Sequence, residues 1–378
     1  MRRSEERILT THTGSLPRPD DLVALLYARD AGEPVDEAEF RARVRDAVAG
    51  IVRQQAAAGI AVVNDGEQGK VGYSTYVKER LTGFGDEEGR PLAPADLTDF
   101  PDYAARRGGT TFARPACTGP IAYRGLDAAQ EEIADFRAAL AGVDAADAFL
   151  TAASPGVISL FLENRHYPDH EAYLFALADA MKVEYDAIHQ AGFVLQVDCP
   201  DLAMGRHIQF AGLSLADFRR NAELHVAALN RALADIPPDR LRMHLCWGNY
   251  EGPHHRDVAL RDIIDIVFTA RPSAISFEGA NPRHEHEWAV FEDVKLPDGK
   301  ILIPGVLDST TNFIEHPELV AQRIVRFARL VGRENVIAGT DCGFATFAGR
   351  SAVAPSITWA KLAALAEGAR LATAQLWA

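Results

Sequence analysis

The chain has 378 residues, of which 48% are hydrophobic and 24% are charged, an ordinary composition for a globular protein. Its formal net charge of −14 argues against nucleic acid or an anionic membrane as a ligand. Its 4 cysteines are too few for a disulfide framework, and no apolar leader or run of about 18 apolar residues is present, so we expect a cytoplasmic protein without a transmembrane helix.

Short apolar runs alternate with longer amphipathic stretches along the chain. The runs are rich in β-branched residues and stop at Gly, Pro, Asp or Asn, which is typical of buried strands. The predicted strands are Ile8–Thr13, Ile60–Asp65, Ala113–Thr118, Phe193–Asp198, Leu241–Cys246, Ala274–Glu278, Ile301–Leu307 and Val336–Thr340. The predicted helices are Glu37–Ala58, His170–Ala191, Ser214–Ala234, Val258–Ala270, Pro317–Val331 and Pro355–Ala374.

Strands joined by helical crossovers in this way predict an α/β protein, a single (β/α)₈ TIM barrel. We expect residues 1–378 to form one domain. A further apolar run, Val157–Leu160, is assigned to a long connection. The polar stretch at residues 83–109 is predicted to be an insertion loop and a candidate lid.

The most specific motif is His244-Leu245-Cys246. Residues two apart on a strand project to the same side, so this histidine and cysteine are expected to face one site. Glu278 and Cys342 close two later apolar stretches. One histidine, two cysteines and one glutamate suit tetrahedral zinc. The two thiolates favour holding a substrate thiolate over activating water.

Other cysteines and histidines have ordinary structural explanations. Cys117 and Cys199 are predicted to be small buried hydrophobic residues. Two pairs in polar stretches are predicted to be solvated: His254 with His255, and His284 with His286. A GxSxG elbow, a phosphate-binding loop and a GxGxxG after the first strand are all missing, which leaves hydrolase and nucleotide-cofactor chemistry without support.

Several segments, in order and spanning nearly the whole chain, resemble the catalytic C-terminal barrel of the cobalamin-independent methionine synthase family. They are TTHTGSLPRP near the start, VVNDGEQG at 62–69, TGP at 118–120, LQVDCP at 195–200, HLCWGNY from His244, ISFEG at 275–279, IPGVLDS at 303–309 and GTDCGF at 339–344. The chain is similar to single-barrel members and to the related epoxyalkane:coenzyme M transferases. The resemblance implies that His244, Cys246, Glu278 and Cys342 bind zinc.

The resemblance also implies where the thiol substrate binds. In the family, the equivalents of Glu67 and Asp198 hold the amino group of homocysteine. Should the thiol carry a sulfonate, Arg18 is the candidate to bind it. The predicted substrate-binding residues are Gly14, Ser15, Arg18, Glu67 and Asp198. The predicted catalytic residues are His12, Asp198 and Asp308.

Two departures from the family bear on the alkyl donor. The family's IDEPA segment reads Val197-Asp198-Cys199-Pro200-Asp201, which keeps the aspartate and loses the glutamate. The family's DIHSP segment carries a histidine thought to protonate the departing folate nitrogen. Here that segment reads Asp308-Ser309-Thr310-Thr311 and has no histidine, so a folate donor lacks support.

We therefore predict a Zn²⁺-dependent thiol S-alkyltransferase that moves a methyl group to homocysteine or a similar small thiol. The alternative is epoxide opening by a zinc-activated thiol. Two further alternatives are a lyase like uroporphyrinogen decarboxylase and a zinc-binding scaffold without catalysis. The expected partners are a small-molecule thiol and an alkyl donor, with a corrinoid or other methyl-carrier protein as a candidate. We expect no nucleic-acid or membrane partner and leave a homo-oligomer open.

Overall fold

The computed structural model describes residues 1–90, 92, 94–107 and 113–378. Its α-helices are α1 Asp20–Asp30, α2 Glu37–Ala57, α3 Val77–Arg80, α4 Pro101–Arg107, α5 Asp127–Ala139, α6 Pro155–Phe161, α7 His170–Gln190, α8 Leu215–Ala232, α9 Ile264–Phe268, α10 Val290–Asp293, α11 Pro317–Val331 and α12 Pro355–Leu376. Its strands are β1 Val62–Val63, β2 Phe84–Glu88, β3 Pro115–Cys117, β4 Asp147–Ala153, β5 Val194–Asp198, β6 Leu241–Leu245, β7 Ala274–Phe277 and β8 Ile301–Pro304.

The centre of the fold is a six-stranded parallel sheet with the order β1-β4-β5-β6-β7-β8. Strands β5 to β8 are buried along their whole length, as expected of parallel strands covered by helices. The register of β5 on β6 places Asp198 opposite His244. Because all six strands run in one direction, their C-terminal ends meet at the same edge of the curled sheet.

The first and last predicted strands are present only as isolated parallel bridges. These bridges join Thr10 to Ala338, Leu302 to Val336 and Gly305 to Gly339. The carbonyl of Thr10 also accepts hydrogen bonds from the backbone N–H groups of Ala61 and Val62. The chain near Thr10 therefore connects the β1 edge of the sheet to the segment that follows β8.

The prediction of a parallel strand at Ala113–Thr118 is wrong. Strand β3 pairs antiparallel with β2 in a separate two-stranded sheet. The position beside β1 is taken by β4, which the sequence analysis missed. The β4 sequence DAFLTAA is rich in alanine and poor in β-branched residues, so its pattern is not typical of a strand. Val157–Leu160, assigned to a connection, lies in the buried helix α6.

Residues 83–109 contain regular structure where they are described, which corrects the prediction of a loop. They include β2, a 3₁₀ helix at Ala95–Asp99, and α4. The rest of that prediction falls on residues 91, 93, 108 and 109, which lie outside the described part of the chain.

The predicted helices are confirmed, and their ends follow local capping chemistry. The side chain of Asp36 accepts from the N–H groups of Ala38 and Glu39 at the start of α2, and Ser214 caps α8. Helix α11 matches its prediction residue for residue. The Val258–Ala270 helix is shortened most, to a 3₁₀ turn followed by α9. Within the described residues, every helix is too short or too polar to span a bilayer.

Candidate metal centre and active site

A cavity of about 520 Å³ opens at the C-terminal ends of the parallel strands, where active sites of this architecture lie. Its walls come from loops after the strands and from the 83–109 insertion, which contributes Leu92, Pro94 and Tyr103. Six of the predicted site residues line this cavity: Ser15, Glu67, Asp198, His244, Cys246 and Cys342. Side chains far apart in sequence thus share one solvent-connected space.

His244, Cys246 and Cys342 form one group, which we call the thiol cluster. Their ligand atoms all lie within 4.8 Å of one another, and the two Sγ atoms are 3.6 Å apart. His244 lies on β6, and Cys246 is the first residue after that strand. Cys342 follows the segment near Gly339 that forms an isolated bridge. The sequence expectation that the HxC pair meets the later cysteine is borne out in space.

The nitrogen atoms of His244 show whether this site could bind a metal ion. Both are buried, and neither makes a well-aligned hydrogen bond within the described structure, although the Ser276 backbone is close. Burial, and then the charge of Arg242, lower the pKa of His244 to about 3, so its imidazole is neutral. A neutral imidazole beside two thiols, with no partner for its lone pair, is a donor set that suits zinc.

Glu278, the fourth predicted metal ligand, lies next to the thiol cluster but outside the 4.8 Å group. Its Oε1 accepts from the Trp247 N–H at 2.8 Å, and its Oε2 accepts from the Asn281 side chain at 2.8 Å. Burial and the nearby Cys246 raise the pKa of Glu278 well above its usual value. Its assignment as a ligand stays a prediction.

Glu67 and Asp198, which we call the carboxylate pair, face the same cavity. They are 2% and 4% exposed, and Oε2 of Glu67 has no hydrogen-bond partner in the described structure. Burial raises the pKa of Glu67 to about 7. Burial, followed by the charge of Glu67, raises the pKa of Asp198 well above its usual value. Two neighbouring buried carboxyl groups, one with an oxygen that lacks a hydrogen-bond donor in the described structure, favour a cationic ligand group.

The backbone around Glu67 is built to aim this carboxylate. Glu67 has a φ of 55°, in the left-handed region, which is uncommon outside glycine. The guanidinium of Arg18 donates to the Glu67 carbonyl through Nε at 3.1 Å and Nη2 at 2.7 Å. At Gly14 a Cβ would lie 2.6 Å from Oε1 of Glu67, so only glycine fits there.

Besides Gly14 and Glu278, three predicted site residues do not line the cavity: Arg18, His12 and Asp308. The guanidinium of Arg18 donates the hydrogen bonds to the Glu67 carbonyl just described and another, through Nη1, to the Ala345 carbonyl at 2.7 Å. His12 Nε2 contacts Gln55 at 2.8 Å in the interior of the fold. Asp308 accepts from the N–H and hydroxyl of Thr310, both at 2.8 Å, and so closes its own turn. Their roles in binding or catalysis stay predictions, and the geometry gives each a positioning contact instead.

Comparison with known proteins adds to this geometry. Residues 160–365, more than half of the chain, match the family model described as the catalytic domain of cobalamin-independent synthase. The chain belongs to this family. It is 24% identical to a methionine synthase of Thermococcus kodakarensis over 335 residues, with 88% of this chain and 86% of that protein covered.

Two further relatives of this synthase-family chain are named for two different reactions. It is 23% identical over 406 residues to a 2-hydroxypropyl-CoM lyase of Xanthobacter autotrophicus, with 100% of this chain and 98% of the lyase covered. A B12-independent methionine synthase structure from a Shewanella species, in complex with selenomethionine, superposes with a TM-score of 0.76 at 20% identity, covering 98% of this chain and 99% of that one. The superposition confirms the α/β fold, and the relatives together support a methyl- or alkyltransferase acting on a thiol.

The sequence analysis missed an aromatic wall in this synthase-family cavity, formed by Tyr73, Phe161 and Phe347. The ring centroids are 5.9 Å apart for Tyr73–Phe161, 5.7 Å for Tyr73–Phe347 and 6.3 Å for Phe161–Phe347. The Tyr73 hydroxyl makes no hydrogen bond in the described structure, whereas burial, and then the negative charge of Cys246, raise its pKa well above the usual value. Scattered sequence positions gave no signal for this grouping.

A second buried group, which we call the histidine–aspartate cluster, comes from the segments that follow β5, β6 and β7. The rings of its His284 and of Trp247 have centroids 4.2 Å apart. Nδ1 of His254 and Nε2 of His284 each lie 3.0 Å from Oδ2 of Asp257, and Nδ1 of His207 lies 2.9 Å from Oδ1 without good hydrogen-bond alignment. Nδ1 of His284 also contacts Glu287 at 2.8 Å. The prediction that His254 and His284 are solvated is wrong, because they are 8% and 2% exposed. His255 and His286 are exposed, and Cys117 and Cys199 are buried, as predicted.

The insertion packs against the loop that follows β6. Oδ2 of Asp96 accepts from the His254 N–H at 3.0 Å and from the Tyr250 hydroxyl. Asp99 forms ion pairs with His255 and Arg256 at 2.8 and 2.6 Å. The insertion therefore covers one side of the cavity and rests on the segment that begins with the HxC motif.

Proposed function

We propose that this protein is a zinc-dependent thiol S-alkyltransferase that transfers a methyl group to homocysteine or a similar small aminothiol. The observation that carries the proposal is the meeting of the thiol cluster and the carboxylate pair in one cavity. The first set suits a soft metal and a sulfur ligand. The second suits an ammonium group. An aminothiol is the small molecule that satisfies both sets together.

His244, Cys246 and Cys342 would hold the zinc ion, with Glu278 as the fourth ligand. A zinc ion bound there would keep the acceptor sulfur deprotonated near neutral pH. Hydrogen bonds from the Asn281 side chain and the Trp247 N–H orient Glu278. Asp341 stabilises the same turn by accepting from the Gly279 and Ala280 N–H groups, each at 2.8 Å.

The carboxylate pair would bind the ammonium group of the acceptor and so fix the direction of its sulfur. Binding a cation lowers the pKa of Glu67 from its raised value and charges the carboxylate when the substrate arrives. The aromatic wall and Leu92 exclude water beside the reacting sulfur. Orientation of two substrates in such a site supplies a large part of the rate.

We further propose that the sheet closes into the full (β/α)₈ barrel. The parallel bridges at Thr10, Leu302 and Gly305 support closure, because they link β8 to the segment near Ala338 and that segment to the start of the chain. In a closed barrel, Cys342 and Ser15 are neighbours at the cavity rim. The backbone bond from Phe344 N–H to the Ser15 carbonyl, at 2.9 Å, fits this arrangement.

The test is zinc X-ray absorption on the purified protein before and after adding homocysteine, coenzyme M or glutathione. We expect a stoichiometric zinc ion that gains one sulfur neighbour with homocysteine. Cys117→Ser, which changes a buried thiol outside the cavity, is the matched control and should behave like the wild type. A protein without zinc, or zinc that ignores all three thiols, would overturn the proposal.

Epoxide opening by the activated thiol is the second candidate, and two observations favour it. One relative is named 2-hydroxypropyl-CoM lyase and aligns over the whole chain. The Tyr73 hydroxyl also lies in the cavity with a free donor, which could stabilise an alkoxide. Turnover of propylene oxide with coenzyme M, lost in Tyr73→Phe, would establish this reaction in place of methyl transfer.

A further inference from the structure

The aromatic wall lines the same cavity as the carboxylate pair. Its rings are tilted to one another by 86°, 58° and 59°, so a ligand touching all of them meets ring faces as well as edges. The backbone fixes the arrangement, because Gly72 bridges to Phe347 and the Tyr73 N–H donates to the Thr346 carbonyl at 3.2 Å. A Cβ at Gly72 would lie 2.5 Å from the Phe347 ring.

Aromatic faces attract cations, especially methylated onium ions that carry little hydration. The charges that line the cavity favour the same ligand. Glu67, Asp198 and Glu251 are acidic, and Arg350 is the one arginine or lysine in the described lining. A metal-bound thiol cluster adds thiolate charge. An anionic donor with a carboxylate tail would meet repulsion here, whereas a cation gains from both the rings and the carboxylates.

The lining also restricts the leaving group. His244 is the one histidine among the described residues that line the cavity, and the proposed function commits it to the metal. The Asp308–Thr311 turn, which stands where the family has its histidine, bonds within itself. Among the described residues of the lining, no imidazole other than that of His244 is placed to protonate a departing nitrogen or oxygen. A donor that departs as a neutral molecule needs no such proton.

We propose that the second substrate is a methylated onium cation, a sulfonium or a quaternary ammonium ion, bound against Tyr73, Phe161 and Phe347. This inference rests on the proposed methyl transfer and names its donor. The acceptor thiolate attacks the methyl carbon, a sulfur–carbon bond forms, and the bond from the methyl carbon to the onium centre breaks. The electron pair of that bond returns to the onium atom, which leaves as a neutral thioether or tertiary amine.

The binding test compares choline with its neutral carbon isostere, in which a tert-butyl group replaces the trimethylammonium group. Calorimetry is done on the zinc-loaded enzyme with homocysteine present. We expect choline to bind on the order of tenfold more tightly than the isostere, because the shape is the same and only the charge differs. Equal binding of the two probes would overturn the proposal without any variant.

Phe347→Leu keeps an apolar side chain and removes a ring. It should weaken choline on the order of tenfold and leave the isostere nearly unchanged, whereas Cys117→Ser, a buried change outside the cavity, should leave both unchanged. A loss of both probes in Phe347→Leu would mean that the wall is only apolar packing, which contradicts the proposal. Thermal melts verify that each variant is folded.

Turnover distinguishes the two onium sources. S-methylmethionine serves as the sulfonium and glycine betaine as the ammonium, each with homocysteine, beside methyltetrahydrofolate and propylene oxide as comparisons. Methionine formed from either onium donor supports the proposal, and the faster donor names the class. Turnover with folate or epoxide alone overturns it. If the zinc edge still responds to homocysteine in that case, the transferase function stands and only the donor assignment fails.

Discussion

The thiol cluster and the histidine–aspartate cluster are both buried and both contain histidine, but they differ in how their imidazole nitrogens are paired. In the histidine–aspartate cluster, the Asp257 carboxylate faces three imidazoles, and Glu287 takes the remaining nitrogen of His284. In the thiol cluster, both nitrogens of His244 lack an aligned partner within the described residues. In the first group His254 and His284 are paired through both ring nitrogens and only His207 lacks an aligned partner, whereas the one histidine of the thiol cluster has no aligned partner at all.

The difference separates a structural group from a functional one with the same residue types. Contacts with His207, His254 and His284 hold the pKa of Asp257 below its ordinary value despite its burial. Burial lowers the pKa of His284, but the contacts with Asp257 and Glu287 outweigh burial and raise this pKa to about 10. This charged group, in which Asp257 is paired with His254 and His284, stabilises the loop that carries Cys246. In the proposed function, the neutral His244 binds a metal instead.

The largest expected effect comes from breaking the thiol cluster. Cys246→Ser removes a soft ligand, so we expect bound zinc to be lost and alkyl transfer to fall by about a thousandfold or more. Metal analysis by mass spectrometry and a methionine-formation assay measure the two losses. Cys117→Ser should retain both. Full zinc occupancy in Cys246→Ser would remove this cysteine from the metal site.

Breaking the histidine–aspartate cluster should instead affect stability. Asp257→Asn removes the charge that balances protonated His284, and we expect a loss of about 3 kcal/mol in the free energy of unfolding. Urea denaturation of the apoprotein measures it, with the exposed Asp298→Asn as control. Zinc binding at saturating metal should persist. If Asp257→Asn lost its zinc site while keeping its stability, the division between the two groups would be wrong.

How much of this could be foreseen from the sequence differs between the same two groups. The HxC pair can be recognised from the sequence because two candidate ligands share one strand face. Cys342 is then added because it also closes a predicted strand, where active-site residues are expected. Asp257 and its three histidines come from three loops and have no shared period, so only folding brings them together. Strand β4 was missed for a related reason, since its alanines weaken the strand pattern and its place in the sheet depends on tertiary contacts.

The pH dependence of stability should carry the signature of His284. Its pKa in the folded protein, about 10, lies above the unfolded value near 6.5, so its stabilisation is complete below about pH 6.5 and declines as pH rises towards 10. We expect the difference in unfolding free energy between the wild type and His284→Gln to shrink by roughly 1–3 kcal/mol over this range. Denaturation of both proteins at pH 6, 8 and 10 measures the difference. A constant difference would mean that His284 is neutral in the fold.

The smallest effect should come from the contact between the insertion and the histidine–aspartate cluster. Asp96→Ala deletes the acceptor for the Tyr250 hydroxyl and the His254 N–H, which costs about 1 kcal/mol of stability. Because Leu92, Pro94 and Tyr103 line the cavity, the loosened segment should raise KM for the thiol a few-fold and leave kcat nearly unchanged. Hydrogen exchange should rise in residues 94–107. Asp102→Ala, an exposed change in the same segment, should leave KM and exchange at wild-type levels. Faster exchange without any change in KM would show that this segment covers the cavity but does not contribute to substrate binding.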